Sequence, residues 1–453
     1  MWIKRVRLKF YYIVAYIIFL SGCSQNSVTT PVSDRVKDET AKTLKKSLSD
    51  INYVYQDVSL YSEGINKSFI SAQEKFEEKY FRPWRIDKIG TTKDDAMWAY
   101  KLFNPKNSYG ENLQPIPQQF FDEIKENSNF TKFSTLNKRA ITLRELNIRA
   151  FPTDKPLLRD PSLAGEGFPF DYMQNSTVAA NKPIFVSHYS KDREWVFIET
   201  SFAYGWVKSR DIVFIENRYT DIWQEAEQAF FIKDGVSIFT DEDDFLFKSR
   251  VGVMLPIIEE SSNGYKLLTI SNYRHSKALY VRSKVSKSIA HKGLLEFNSA
   301  NINHILNEVS QVNYGWGGMY GQRDCSSILR DFFAPFGIWL PRNSYQQSKV
   351  GKVISLEKLS DKEKIETIKK YAIPFETLLY KKGHIVLYVG TYNDEIIIFH
   401  NTWGIKTKTN GVEGRYIIGK PIFSTLKLGE KLDNFDEDAS ILRALKSMNI
   451  LTL

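Results

Sequence analysis

The chain has 453 residues, too many for one core, so two to four domains are expected. Hydrophobic content of 42%, aromatic content of 14% and 25% charged residues describe an ordered globular protein with much β-structure and exclude a disordered chain. The formal charge of +9 falls to +5 once the four basic residues of the leader described next are set aside; that scattered surplus suits an anionic envelope polymer and gives no case for nucleic acid.

Residues 1–22 read as an export signal. Lys4, Arg5, Arg7 and Lys9 precede an apolar run from Phe10 to Leu20 that is too short to span a bilayer and long enough for a signal-peptide core. The sequence Leu20-Ser21-Gly22-Cys23 then resembles the bacterial lipobox. That resemblance implies diacylation of Cys23, anchoring to a membrane through the lipid and, with Ser24 next, the periplasmic face of an outer membrane.

Residues 23–45 are rich in Ser, Thr, Asp and Lys and suit a flexible tether. Residues 46–135 mix helical pieces such as Phe69 to Tyr80 with breaks at Pro83 and at Pro115 and Pro117, and read as a mostly helical stabilising domain. From there short β-like runs take over. Those around Pro183–Tyr189, Glu194–Thr200 and Gly205–Lys208 predict one small barrel over 136–216, and those around Leu255–Glu260, Gly264–Ile270 and Ala278–Arg282 predict a second over 217–285. Trp195 and Tyr265 occupy similar places in the two series, as expected of one unit used twice. The Gly205-Trp206-Val207 stretch resembles bacterial SH3-like domains.

Residues 286–430 carry the chemistry, and residues 431–453 are expected to be a C-terminal tail. A glycine- and aromatic-rich stretch from Tyr314 reaches Asp324-Cys325-Ser326-Ser327, after which Ile328, Leu329, Phe332 and Phe333 recur at helical spacing. Asp324 is a suitable N-cap, placing Cys325 in the first turn, where free N–H groups and the helix dipole favour a thiolate. An exported protein usually pairs its cysteines. Here there are two, and with Cys23 assigned to lipid, Cys325 is a lone thiol for which a chemical role is the better reading.

Two further strands, Gly383–Gly390 and Glu395–His400, flank a Thr391–Asp394 turn and form a hairpin. His384 opens the first and His400 ends the second, so antiparallel pairing brings them to one end of the ladder, opposite each other if the register centres on Tyr392. Cys325 as nucleophile, His384 as base and His400 as orienter make a cysteine-hydrolase constellation, with the Cys325 N–H among the oxyanion donors. His188, His275, His291 and His304 lack this context and read as surface or structural residues. One Cys and two His without a fourth ligand at a recognisable spacing do not make a metal site, and no cofactor is expected.

These residues resemble the NlpC-type cell-wall cysteine peptidases. The resemblance is carried by Asp324-Cys325-Ser326-Ser327, by Gly383-His384 through Gly390, by His400 and by Tyr314-Gly315-Trp316-Gly317-Gly318. It implies a papain-like α+β fold behind two SH3-like barrels and hydrolysis of the bond between γ-D-glutamate and a diamino acid in peptidoglycan stem peptides. It further implies that Tyr314 lies beside the cysteine and that Asp324 and Ser326 receive the free amine of an N-terminal L-alanine. The first barrel should narrow the groove with an aromatic group, expected at Tyr172. The protein is expected to act as a monomer. The alternatives are a catalytically silent wall-binding lipoprotein and, on the same fold, an amidase or acyltransferase.

Overall fold

A computed structural model describes residues 54–67, 73–273 and 277–451. The export segment, the tether with Cys23, and His275 lie outside the described residues. Apart from two short ladders, the strands gather into three antiparallel sheets, one for each barrel and one for the Cys325 unit.

The N-terminal region contains helix α1 (Gln73–Tyr80), short helical turns at Arg82–Arg85, Lys93–Ala96 and Trp98–Leu102, and helix α2 (Gln118–Asn127). It lends side chains to the other cores. Phe76, Tyr80, Phe81 and Trp84 are buried among residues of both barrels, and the Trp84 indole N–H donates to Ala140 O at 2.8 Å. Further upstream, Val58 enters the Cys325 core, and the Gln56 side chain pairs with both backbone groups of Phe423 on the outer strand of that sheet. The unpaired edge of the strand is thereby covered.

The first barrel comprises β1 (Lys138–Thr142), β2 (Leu146–Arg149), β3 (Gln174–Val178), β4 (Pro183–Tyr189), β5 (Trp195–Glu199), β6 (Tyr204–Lys208) and β7 (Ile212–Phe214), ordered β3-β2-β6-β5-β4-β1-β7. Helix α3 (Asn217–Glu225) leads into the second barrel, formed by β8 (Gln228–Phe231), β9 (Met254–Glu260), β10 (Gly264–Tyr273), β11 (Lys277–Ser286) and β12 (Ala290–Lys292). Its order is β11-β10-β9-β8-β12. Because β12 pairs Ala290 with Phe231, this barrel runs past the expected boundary at residue 285.

The Cys325 unit contains α4 (Ser299–Val309), α5 (Cys325–Phe333), β13 (Lys352–Ser355), α6 (Asp361–Tyr371), β14 (Thr377–Lys381), β15 (His384–Tyr392), β16 (Glu395–Thr409), β17 (Val412–Thr425) and β18 (Leu445–Ile450). Alternation along the strands separates two apolar layers. Ile385, Leu387 and Val389 face α4 and α5, whereas Val386 and Tyr388 face the side covered by Ile368 of α6. The strand order is β13-β18-β14-β15-β16-β17. Residues 431–453 are therefore no tail: β18 fills the gap between β13 and β14, with Asn449 opposite both Val353 and Leu378. Nothing in the local sequence marks that pairing, because both partners are distant in the chain.

A buried charge network joins the three units. Arg323 pairs with Asp331 at 2.9 Å and with Asp234 of the second barrel at 2.5 Å. Arg250 pairs with Asp331 at 3.0 Å and with Glu145 of the first barrel at 2.9 Å.

Candidate active site

Cys325 is the first residue of α5, as its sequence context predicts. The Asp324 carboxylate accepts the N–H groups of Ser326 and Ser327, and Ser327 Oγ accepts the Asp324 N–H in return. This capping box consumes the other first-turn donors. The Cys325 N–H takes no such bond among the described residues and remains open to a ligand oxygen.

The thiol itself departs from the expectation of a favoured thiolate. Burial pushes its pKa up to about 12, and the adjacent Asp324 carboxylate adds to the rise. The N–H groups of Ile385 and Ser326, with Arg342, pull the other way without prevailing. The dipole argument fails because sequence shows neither the depth of the site nor that the capping residue is a charged neighbour.

The hairpin turns through Asn393 and Asp394, both left-handed, which suits the twist of a two-residue connection. Tyr392 pairs with Glu395 and Leu387 with Phe399, with a bulge at Val389 between them. The two histidines lie just past the last of these pairs at the same end of the ladder. His384 Nε2 and His400 Nδ1 are 2.9 Å apart.

Behind them stands Ser424 of β17, whose Oγ is 3.0 Å from His400 Nε2 and donates to Thr425 O at 3.0 Å. Having given its proton away, that hydroxyl accepts from His400 Nε2–H. His400 Nδ1 then accepts from His384 Nε2–H, and His384 Nδ1 is left as a free lone pair. Burial, with Lys381 nearby, lowers the His400 pKa to about 3, and burial likewise holds His384 well below its usual value. The resting site is thus neutral thiol and neutral imidazole. No hydrogen bond joins Cys325 to His384 here, but both border one cavity of about 330 Å³ together with His400.

A second cavity of about 480 Å³ meets the first at Tyr314, Trp316, Cys325 and Gly383, so the site is a two-lobed cleft with the sulfur at its waist. The second lobe holds Asp324, Ser326 and Tyr172, together with Arg342 and Tyr204. Tyr172 packs on Trp316 with ring centroids 5.4 Å apart and donates its hydroxyl to Glu166 at 2.9 Å. Burial, with Cys325 and Asp324 nearby, raises the Tyr314 pKa well above its usual value, so its hydroxyl remains a donor.

Gly317 and Gly318 let this loop press on the first barrel. Both have positive φ, and a Cβ at Gly318 would stand 2.4 Å from Thr177 Oγ1. Trp316 Nε1 donates to Asp171 O at 2.9 Å, which fixes the indole as a wall of the cleft.

Sequence reasoning missed two supporting residues. Ser424 is one. The other is Arg342, which forms a two-point contact with Asp324 (3.2 and 2.6 Å), donates to Ser326 Oγ at 2.9 Å and to Ser176 Oγ of β3 at 2.6 Å. A lone Arg and a lone Ser give no local signal; only the fold brings them here. Of the other histidines, His188 is buried in the first barrel against Trp206 and bonded to Ser128 O, whereas His291 and His304 are exposed.

Comparison with known proteins agrees with this architecture. Residues 311–420 match the NlpC/P60 family model, residues 12–133 the N-terminal NLPC_P60 stabilising domain, residues 156–208 an SH3 domain of the SH3b1 type and residues 217–262 one of the SH3b2 type. No curated protein matches the chain. Among solved structures, an NlpC/P60 endopeptidase from Photobacterium damselae subsp. piscicida is similar over 88% of this chain and 98% of its own, at 23% identity and a TM-score of 0.77. An NlpC/P60 family protein from Bacillus cereus ATCC 10987 is more loosely similar, at 14% identity and a TM-score of 0.46 over 69% of this chain and 99% of its own. The first likeness extends to the whole arrangement of modules.

Proposed function

Because this chain belongs to the NlpC/P60 family of cell-wall peptidases, with its stabilising domain and two SH3 modules, we propose that it cleaves the γ-D-glutamyl–diamino acid bond of peptidoglycan stem peptides. The observation that carries the reading is the hydrogen-bond chain Ser424–His400–His384, which ends in an unprotonated Nδ1 facing the cleft that Cys325 borders.

In this reading Cys325 Sγ attacks the γ-carbonyl carbon while His384 Nδ1 takes the thiol proton. The oxyanion is received by the Cys325 N–H and the Tyr314 hydroxyl; one such donor is typically worth about 3 kcal/mol. His384 then returns the proton to the departing amine, and water attacks the thioester with the same base. His400 holds the ring orientation and bears part of the imidazolium charge. The neutral resting pair means that proton transfer accompanies attack instead of preceding it.

We further infer a preference for a free N-terminal L-alanine. Asp324 Oδ2 accepts only Arg342 and borders the second lobe beside Ser326, leaving a lone pair for an ammonium. Tyr172 and Trp316 close that lobe to longer chains. The lipobox at Cys23 supports anchoring of the enzyme to a membrane, with an outer membrane's periplasmic face as its place.

The test incubates the full chain in detergent with L-Ala-γ-D-Glu-meso-diaminopimelate and its N-acetylated twin, with Cys325→Ala alongside. Mass spectrometry should find L-Ala-γ-D-Glu released from the free-amine peptide alone and only by the native enzyme. Equal cleavage of both peptides would remove the amine clamp and keep the peptidase. Absence of cleavage with a folded protein would overturn the reading.

A further inference from the structure

We propose that the lobe on the His384 side of the cleft selects its substrate by carboxylates, Lys381 and Arg415 forming an anion-binding wall that favours meso-diaminopimelate over lysine after the scissile bond. This rests on the peptidase reading and adds the chemistry of the leaving group to it.

The direction of the substrate follows from proton transfer. The leaving amine must lie within reach of the imidazole that protonates it, and only the lobe lined by His384 and His400 satisfies this. The diamino acid therefore occupies that lobe. Its lining includes Lys381, Lys382, Lys406 and Arg415 and not one Asp or Glu.

Two of these cations are left unbalanced. Lys406 is paired with Glu413 and with Asp436. Lys381, by contrast, donates only to Ala439 O at 3.2 Å, and Arg415 only to Gly414 O at 2.8 Å; neither has a carboxylate within ion-pair distance among the described residues. Burial, Arg415 and Lys406 together lower the Lys381 pKa, a cost that an incoming anion relieves. Lys406 and Arg415 also stand directly opposite each other in the β16–β17 ladder, where like charges destabilise a sheet. A fold gains nothing from this arrangement unless an anion completes it. The Arg415 guanidinium is stacked close to Gly165 of the first barrel, where a Cβ would come within 3.0 Å of Nε, so the side chain is held over the lobe.

The ligand chemistry follows. In a tripeptide ending in lysine, the α-carboxylate and the side-chain ammonium cancel. In meso-diaminopimelate a second carboxylate beside that ammonium leaves a net negative residue, which the wall can hold by charge-assisted hydrogen bonds.

The experiment measures kcat/KM of the native full chain on three tripeptides: L-Ala-γ-D-Glu-meso-diaminopimelate, the same peptide amidated at the side-chain carboxyl, and its L-lysine counterpart. The acidic peptide should lead both others by about tenfold or more, through KM, as expected for one charge-assisted contact. In Arg415→Gln and in Lys381→Gln the lead should shrink toward equality; either variant suffices if the other misfolds, and the wild-type comparison needs neither. Equal turnover of the three peptides by the native enzyme, or an undiminished lead in folded variants, would overturn carboxylate selection and leave the peptidase standing. Turnover of none would overturn both.

Discussion

Replacing Ser424 with alanine tests the tautomer argument at its root. The Ser424 hydroxyl is fully buried, accepts from His400 Nε2–H at 3.0 Å and is itself committed as a donor to Thr425 O. Without it the buried Nε2–H has no partner, at a cost of about 1–3 kcal/mol. His400 can escape by moving its proton to Nδ1. The 2.9 Å bond then reverses, His384 Nε2 becomes the acceptor, and Nδ1 carries a proton toward the thiol. In that form His384 cannot act as a base. A bias of this size lost from the productive tautomer lowers kcat by roughly five- to a hundredfold, at 1.36 kcal/mol per decade. KM should change little, because Ser424 does not line either lobe. Steady-state release of L-Ala-γ-D-Glu measures both constants, and Ser424→Thr, which restores the hydroxyl, should recover most of the rate. Native kcat and native thermal stability in Ser424→Ala would refute the chain of hydrogen bonds as the device that sets the base.

Other outcomes follow from the same geometry. Arg342→Gln leaves the buried Asp324 carboxylate short of its cation; the cost should be about 3–5 kcal/mol in urea unfolding, with KM for the free-amine peptide altered as well. Gly318→Ala should undock the Trp316 loop from β3, since its Cβ would stand 2.4 Å from Thr177 Oγ1 at a φ of +83°, and raise KM at least severalfold in steady-state assays. His188 and His400 are buried neutral, with pKa values lowered to about 4 and about 3. Their contribution to stability is full above pH 6.5 and is lost as pH falls toward those values, because the unfolded chain binds the protons first. The melting temperature should fall steadily between pH 6.5 and 4, and a flat profile would contradict the burial of these rings.

The parts legible in the sequence are those set by local rules. The Asp324 cap, the apolar spacing of α5, the Asn393-Asp394 turn and the shared end of the ladder for His384 and His400 each depend on residues close in the chain. What escaped depends on encounters across long separations. Ser424 reaches His400 only after the β16–β17 ribbon folds back, Arg342 meets Asp324 from beyond the helix, and residues 54–67 settle on the Cys325 core after skipping two barrels. The thiol state was misjudged for a related reason. A helix start favours a thiolate in water, but depth of burial and a neighbouring carboxylate are properties of the assembled fold.

The position of β18 has a bearing on when the enzyme can become active. Cys325, His384 and His400 all precede it in the chain, yet the sheet that supports both histidines has a gap between β13 and β14 until residues 445–450 insert. During synthesis the nucleophile and its base emerge from the ribosome well before the strand that consolidates their platform. A nascent chain is therefore a peptidase without a finished floor. For a hydrolase bound for export this amounts to a delay line: the chain can be threaded out while still incompetent, and competence arrives with its last strand.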